Sequence, residues 1–152
     1  TLALYGAGYR PRETFALDLS FKSLEVAKEQ FEADKYTEDE KVQTVQGNIL
    51  SLPFVDEQFD CVLTCGVLEY VPLEAGLGEM ARVLKKDKLL VLIPVRPSLV
   101  GSVLEILYNF KSHTVEQVRR AAGRDFEVVG NYKFPITEPI GWSKTIFLLR
   151  KK

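Results

Sequence analysis

Cysteine and histidine are scarce in this sequence: among 152 residues there are two Cys, Cys61 and Cys65, and one His, His113. Two cysteines cannot build a disulfide framework, and a zinc site made of Cys and His would have too few donors. Both cysteines are therefore expected to be reduced thiols, and no metal is expected. A Ser-His-Asp triad would depend wholly on His113, and no nucleophile-elbow pattern accompanies it, which speaks against a hydrolase of that kind. Charge of one sign is also lacking. Twenty Lys plus Arg stand against 21 Asp plus Glu, a net charge of −1. Without a positive surplus to hold a phosphate backbone, no nucleic-acid partner is expected. Long apolar runs are missing too. Runs such as residues 89–95 stop far short of the roughly 18 residues a membrane span requires, and no charged-then-apolar signal segment opens the chain. A soluble, cytoplasmic protein with no membrane partner is the expectation.

What is present is an ordinary core-forming composition, 46% hydrophobic and 27% charged, enough for one globular domain over residues 1–152. No repeat or low-complexity linker divides it, and strand-like and helix-like periodicities alternate, which predicts an α/β layer fold. Thr14-Phe15-Ala16-Leu17-Asp18 reads as a short strand ending in a carboxylate. Ser20 then caps a helix with Phe21, Leu24, Ala27 and Phe31 on one face. Val42 to Gln46 alternates as a strand, and Gly47-Asn48 turns the chain into Ile49-Leu50-Ser51-Leu52-Pro53-Phe54, with Asp56 and Glu57 at an exposed tip. Residues 59–64 are nearly all apolar, the pattern of a central parallel strand. Pro72 opens a helix with Leu73, Leu77, Met80, Ala81 and Leu84 at helical spacing and with Lys85 and Lys86 at its C-terminal end, where the dipole favours cations. Residues 89–95 form a buried strand, and Ser98 to Phe110 an apolar helix. Thr114 with Gln117 makes a capping box for a helix through Ala122, which Gly123 stops. Residues 126–133 and 145–150 are strands of a hairpin joined by residues 134–144. The predicted architecture is a three-layer, doubly wound, mostly parallel sheet closed by an antiparallel C-terminal hairpin. That hairpin points away from plain dinucleotide-binding folds, whose last strands stay parallel.

Three constellations carry chemistry. Asp18 lies at the carboxyl edge of a strand, where open α/β sheets bind ligands, and a carboxylate there can accept both hydroxyls of a ribose; as a plain structural residue it would complement the following helix. The turn at Gly47-Asn48-Ile49 offers an amide able to read the polar edge of an adenine beside apolar packing groups, or else forms only a surface turn. Thr64-Cys65-Gly66 bends the backbone at the exit of the buried strand. Cys65 has no neighbouring cation or His in sequence, so it is not expected to be a nucleophile.

Taken together, Asp18-Leu19-Ser20, Gly47-Asn48-Ile49-Leu50-Ser51-Leu52-Pro53-Phe54, Phe59-Asp60-Cys61-Val62-Leu63, Val67-Leu68-Glu69-Tyr70-Val71-Pro72 and Glu79-Met80-Ala81-Arg82-Val83-Leu84-Lys85 resemble successive motifs of class I S-adenosylmethionine-dependent methyltransferases, the small-molecule type 11 branch. The resemblance runs from about Phe15 to Leu149. It implies a Rossmann-like methyltransferase fold, S-adenosylmethionine as cofactor with S-adenosylhomocysteine as product, and a small-molecule methyl acceptor. It further implies that Asp18, with Leu19 beside it, holds the ribose hydroxyls. Asn48, where the family more often has Asp, would meet the adenine amino group, and Ile49 would meet the ring. Cys65 and Gly66 would line the methionine end of the cofactor. Glu69 and Tyr70, near the mouth, are candidates to orient or deprotonate the acceptor; otherwise Tyr70 is packing and Glu69 a first-turn helix charge. His113 is expected to be a surface residue at a helix start.

The family's turn before its fifth strand appears here as Lys85-Lys86-Asp87-Lys88. Its glycine-rich loop has one candidate counterpart, Tyr5-Gly6-Ala7-Gly8-Tyr9-Arg10, in which Gly6 and Gly8 would approach the cofactor, Leu4 stands at the acid position and Arg10 at the third glycine. Asp18 follows Gly6 by 12 residues, against about 20 in a dinucleotide-type unit. Tyr9 to Glu13 are too few for a parallel crossover, which takes about 10–12 residues. The first strand and helix are expected to be incomplete: a segment is absent from this sequence between Gly8 and Glu13, or the gene itself lacks it, or the N-terminus packs in another way. The competing function is a methyltransferase-like module that binds or scaffolds without catalysis; a nucleotide-binding oxidoreductase, which would require a complete glycine loop, is less compatible with the hairpin.

Overall fold

The computed structural model describes residues 11–33, 41–97, 105, 110–134 and 143–152. Two compact units, Thr1–Pro53 and Phe54–Lys152, make up the chain. The candidate glycines Gly6 and Gly8, the absent segment expected after Gly8, and nearly all of the expected helix at 98–110 and of the connector at 134–144 lie outside the described residues.

The first unit is a β-α-β arrangement. Strand β1 (Glu13–Asp18) leads into helix α1 (Phe21–Ala33), and β2 (Lys41–Gln46) follows. β1 and β2 pair in parallel, from Glu13 opposite Lys41 to Asp18 opposite Gln46, so the chain must cross over between them, and α1 lies on that crossover. The expected cap is in place: Ser20 Oγ accepts from Ser23 N–H at 3.2 Å. The apolar face differs from the expectation. Leu24 is buried and Ala27 and Phe31 are half-buried, but Phe21, at the first helical position, stands 61% exposed; among the described residues the sheet of this unit has two strands.

The second unit holds β3 (Phe59–Cys65), a 3₁₀ turn (Leu68–Tyr70), α2 (Leu73–Val83), β4 (Leu84–Ile93), α3 (Val115–Ala122), β5 (Phe126–Lys133) and β6 (Thr145–Lys151). Its sheet has the order β3-β4-β6-β5. β3 and β4 are parallel, whereas β6 runs antiparallel to both β4 and β5. The mixed α/β fold with an antiparallel C-terminal hairpin is therefore as the sequence predicts. Leu77 and Met80 of α2, Leu90 and Leu92 of β4, Val118 of α3 and Phe147 of β6 are all 1% exposed or less, each worth about 1.5–3 kcal/mol of burial. Among the described residues no helix is long and apolar enough to cross a membrane.

Three expectations need correction. β3, expected mid-sheet, is among the described residues the end strand of its sheet, with Leu63 38% exposed. An apolar run records the burial a strand is suited to, and does not count its neighbours. α2 stops at Val83, and Leu84 is already extended, so Lys85 and Lys86 cap no helix dipole. Instead Lys85 and Lys88 reach Asp60 at 3.0 and 3.6 Å. Asp87 at φ 60° bulges the strand start, and the register jumps from Phe59–Leu84 to Cys61–Leu89. His113 is no surface residue; it is 7% exposed, and its Nε2 lies 3.1 Å from Leu68 O. The segment before α3 packs inward there, which periodicity within α3 cannot show. The capping box itself is present: Thr114 Oγ1 accepts from Gln117 N–H, and Gln117 Oε1 from Thr114 N–H.

Arg82 fixes the approach to β3. Its guanidinium donates to both carboxylate oxygens of Glu79 at 3.0 and 2.9 Å, to Phe54 O at 2.8 Å and to Asp56 Oδ1 at 2.8 Å. These carboxylates, Glu79 first, push its proton affinity further up. The exposed tip at Asp56 is thereby tied to α2.

Candidate functional site

The predicted site residues fall into two groups, one in each unit. In the first unit β1 and β2 end together. Gly47 N–H donates to Asp18 O at 3.1 Å, and Gln46 Nε2 donates to Leu19 O at 3.0 Å, so the Asp18-Leu19 and Gly47-Asn48 exits lie side by side at one carboxyl edge. Asp18 Oδ1 accepts from Ser20 N–H at 2.8 Å. Among the described residues no hydrogen bond reaches its other oxygen, and the residue is exposed. Asn48 Oδ1 accepts from Leu50 N–H at 2.9 Å, and its carbonyl accepts from Ser51 N–H at 3.0 Å. This local ring of bonds fixes the amide and, among the described residues, leaves Nδ2 uncommitted, with Ile49 half-buried in the turn. Gly47 is required for lack of room: a Cβ there would lie 2.9 Å from Leu17 Cδ1 and 3.1 Å from Pro53 Cδ. An exposed pair of strand ends offering a free carboxylate oxygen and a fixed amide suits a ligand with a diol and a flat polar ring, as a nucleoside has. A groove of 510 Å³ in this unit, lined by Phe21, Leu24, Lys28, Thr44 and Gln46 among others, includes neither Asp18 nor Asn48.

In the second unit β3 exits through Cys65 and Gly66. Gly66 has φ +67°, a left-handed conformation that disfavours side chains, and its N–H donates to Ile93 O at 3.2 Å. A Cβ on Gly66 would meet nothing within 4 Å, so open space adjoins the strand exit. Cys65 is exposed, and Lys144 Nζ approaches its sulfur at 3.7 Å. Lys144 carries no motif signal; only the bridge between Val95 and Lys144, a tertiary feature, brings it here.

The turn after Gly66 places Glu69 and Tyr70 oppositely. Tyr70 is 59% exposed and leans on Phe110, with ring centroids 5.8 Å apart. Glu69 is 4% exposed; it lies in the 3₁₀ turn before α2 and is no first-turn charge of that helix. Its Oε1 accepts from Val95 N–H at 2.5 Å, and its carbonyl accepts from Lys111 N–H at 2.9 Å. His113 N–H donates to Val95 O at 3.1 Å. Two distant segments, Val95 and Lys111 with His113, thus converge on Leu68 and Glu69, which sequence motifs do not reveal.

The sequence model of the family described as a methyltransferase domain matches residues 1–92. An uncharacterised protein of Methanocaldococcus jannaschii is 35% identical over 108 residues, 70% of this chain and 45% of its own length. The demethylmenaquinone methyltransferase of Bacillus mycoides is 35% identical over 103 residues, 66% of this chain and 42% of its own. The chain thus spans less than half the length of these curated relatives. Among solved structures, geranyl diphosphate C-methyltransferase from Streptomyces coelicolor, in complex with Mg²⁺, geranyl diphosphate and S-adenosyl-L-homocysteine, has a TM-score of 0.78 at 14% identity, covering 99% of this chain and 66% of that one. A possible histamine N-methyltransferase from Thermotoga maritima has a TM-score of 0.72 at 20% identity, covering 98% and 76%. At such identities these structures establish the Rossmann-like methyltransferase fold. With the family match reaching from residue 1 through β3 and α2 and nearly to the end of β4, the chain belongs to the methyltransferase domain family, in its type 11 branch.

Proposed function

We propose that this protein transfers a methyl group from S-adenosylmethionine to a small-molecule acceptor. The observation that carries this reading is the paired exit of β1 and β2, where the free oxygen of Asp18 lies beside the Asn48 turn. Asp18 accepts the ribose hydroxyls, with Leu19 alongside. Asn48 and Ile49 hold the adenine, and Cys65 with Gly66 line the methionine end. Gly6 and Gly8 are assigned to the cofactor as well, from the sequence pattern alone.

When bound, the cofactor supplies a methyl group on a sulfonium, already joined to an excellent leaving group. The chain's own residues therefore have to bind, orient and exclude water more than move protons. Tyr70 presents its hydroxyl to solvent and is placed to orient an acceptor, whereas Glu69 is closed off from solvent and acts from within. A small-molecule acceptor is supported by the names of relatives and neighbours, which include a demethylmenaquinone and a geranyl diphosphate methyltransferase.

The test is calorimetric titration of the full chain with S-adenosylhomocysteine, comparing wild type with Asp18→Asn. Asn retains an oxygen for Ser20 N–H but loses the charge and the second acceptor. Losing charge-assisted hydrogen bonds to the diol should weaken binding about 10–100-fold. Equal affinity in the variant refutes the ribose assignment, and no binding by the wild type leaves the non-catalytic module as the function.

A further inference from the structure

Glu69 is a buried acid only half provided for. One oxygen takes the Val95 N–H at 2.5 Å. The other, Oε2, is closed to solvent and has no hydrogen-bond partner, and no Lys, Arg or His side chain lies within ion-pair distance of it among the described residues. Of the titratable side chains brought near this turn, Lys144 approaches Cys65 and the His113 ring lies beside Leu68 O, while Lys111 meets Glu69 through its backbone N–H. Burying a carboxylate without a counter-charge is expensive, so a charged Glu69 calls for a cation to compensate it. Its place is informative. Val95, which it grips, lies two residues beyond Ile93, whose carbonyl takes the N–H of Gly66 at 3.2 Å. At about 3.3 Å per extended residue, the carboxylate lies within about 12 Å of the open exit at Gly66.

We propose that Glu69 is the buried counter-charge for a cationic ligand at the carboxyl ends of β3 and β4, and that it makes the site prefer the sulfonium of S-adenosylmethionine over the neutral thioether of S-adenosylhomocysteine. This rests on the cofactor reading above. Since Oε2 is closed to solvent, Glu69 acts through its field and not by touching the ligand. The field matters there because low-dielectric surroundings screen it less than water does. Product and cofactor share the adenosine, the carboxylate and the ammonium; they differ in one methyl group and one positive charge. Their affinity ratio therefore isolates the effect of charge at sulfur.

The experiment measures Kd for S-adenosylmethionine and S-adenosylhomocysteine on the full chain, wild type and Glu69→Gln, with circular dichroism to confirm folding. The amide keeps an oxygen for Val95 N–H and removes the charge. We expect the preference for the sulfonium to fall by about fivefold to fifteenfold, the size of a unit charge at this range in a partly screened interior, while S-adenosylhomocysteine affinity stays within about twofold. An unchanged ratio overturns the proposal, as does an equal loss for both ligands, which would assign the charge to the shared ammonium. If the wild type binds neither ligand, the cofactor reading itself has failed. A second measurement needs no variant: wild type should bind an analogue carrying an ammonium in place of the sulfonium at least about fivefold more tightly than S-adenosylhomocysteine, and equal affinities overturn the proposal.

Discussion

Replacing Gly76 by alanine tests how tightly α2 presses on the turn that carries Glu69 and Tyr70. A Cβ on Gly76 would fall 2.5 Å from Leu68 Cδ2 and 3.4 Å from Val71 Cγ2. Leu68 is 1% exposed, so its methyl group has no open space to swing into. Alanine is better than glycine in a helix interior by about 1 kcal/mol, whereas over-packing a filled core costs about 1–3 kcal/mol. The balance is a destabilisation of about 0–2 kcal/mol, opposite to the gain an unobstructed helical glycine would give. The coupling to Leu68 is more diagnostic. Leu68→Ala alone leaves a cavity and costs about 2–5 kcal/mol. In the double variant the new methyl group partly fills that cavity and its clash is gone. The pair should therefore be about 1–2 kcal/mol more stable than the sum of the singles. Urea denaturation followed by far-ultraviolet circular dichroism reads all four proteins, at constant m-value. Additivity within about 0.5 kcal/mol refutes the close packing of α2 on the turn.

Two further outcomes follow from local geometry. Thr114→Ala removes half of the capping box at α3 and should cost about 1 kcal/mol, with Thr114→Gly costing less; a thermal midpoint unchanged by the alanine variant refutes the cap's contribution. Asp60 is held below the usual carboxylate range, first by its hydrogen bond from Lys85 and then by the charges of Lys85 and Lys88. A lowered native value means that the unfolded chain binds the proton more tightly. The stabilisation is thus present above the unfolded value of about 3.9 and is lost as pH falls through the native one. Asp60→Asn should lower the thermal midpoint slightly near neutral pH, less so in high salt because the pair is exposed, and not at all near pH 2; an effect that grows on acidification refutes it.

The order of strands and helices was legible because each element carries its own periodicity or cap. Ser20, Thr114 with Gln117, and the apolar spacing of Leu73, Leu77 and Met80 all act within a few residues. Errors arose where a long-range choice decided the outcome. The sequence Arg82-Val83-Leu84-Lys85-Lys86 suits a helix with a cationic end, yet Leu84 joins the sheet opposite Phe59 and Lys85 serves Asp60. His113 looks like any polar residue before a capped helix, and only the carbonyl of Leu68, 45 residues earlier, makes it internal. On the site, Asp18 and Asn48 could be located because strand ends and Asx-type turns are local features. Lys144 and the Val95 amide could not, since the groups they meet, Cys65 and Glu69, lie far off in sequence.

The two glycines that close parallel strands show how far a motif informs. Gly47 and Gly66 each stand directly after a parallel strand, at the start of the turn that follows. Gly47 is needed because Leu17 and Pro53 leave no volume for a side chain, so its substitution would displace the Asn48 turn by crowding. Gly66 has ample room, and it is needed because its φ of +67° reverses the chain toward the turn that buries Glu69. One glycine therefore fixes a position and the other a direction. The direction matters more for chemistry: with Gly66 left-handed, the next turn carries the acid inward to Val95 and leaves Tyr70 facing out. The same short motif thus delivers a buried charge and an accessible hydroxyl to one strand exit, the division of roles on which the proposed preference for a sulfonium depends.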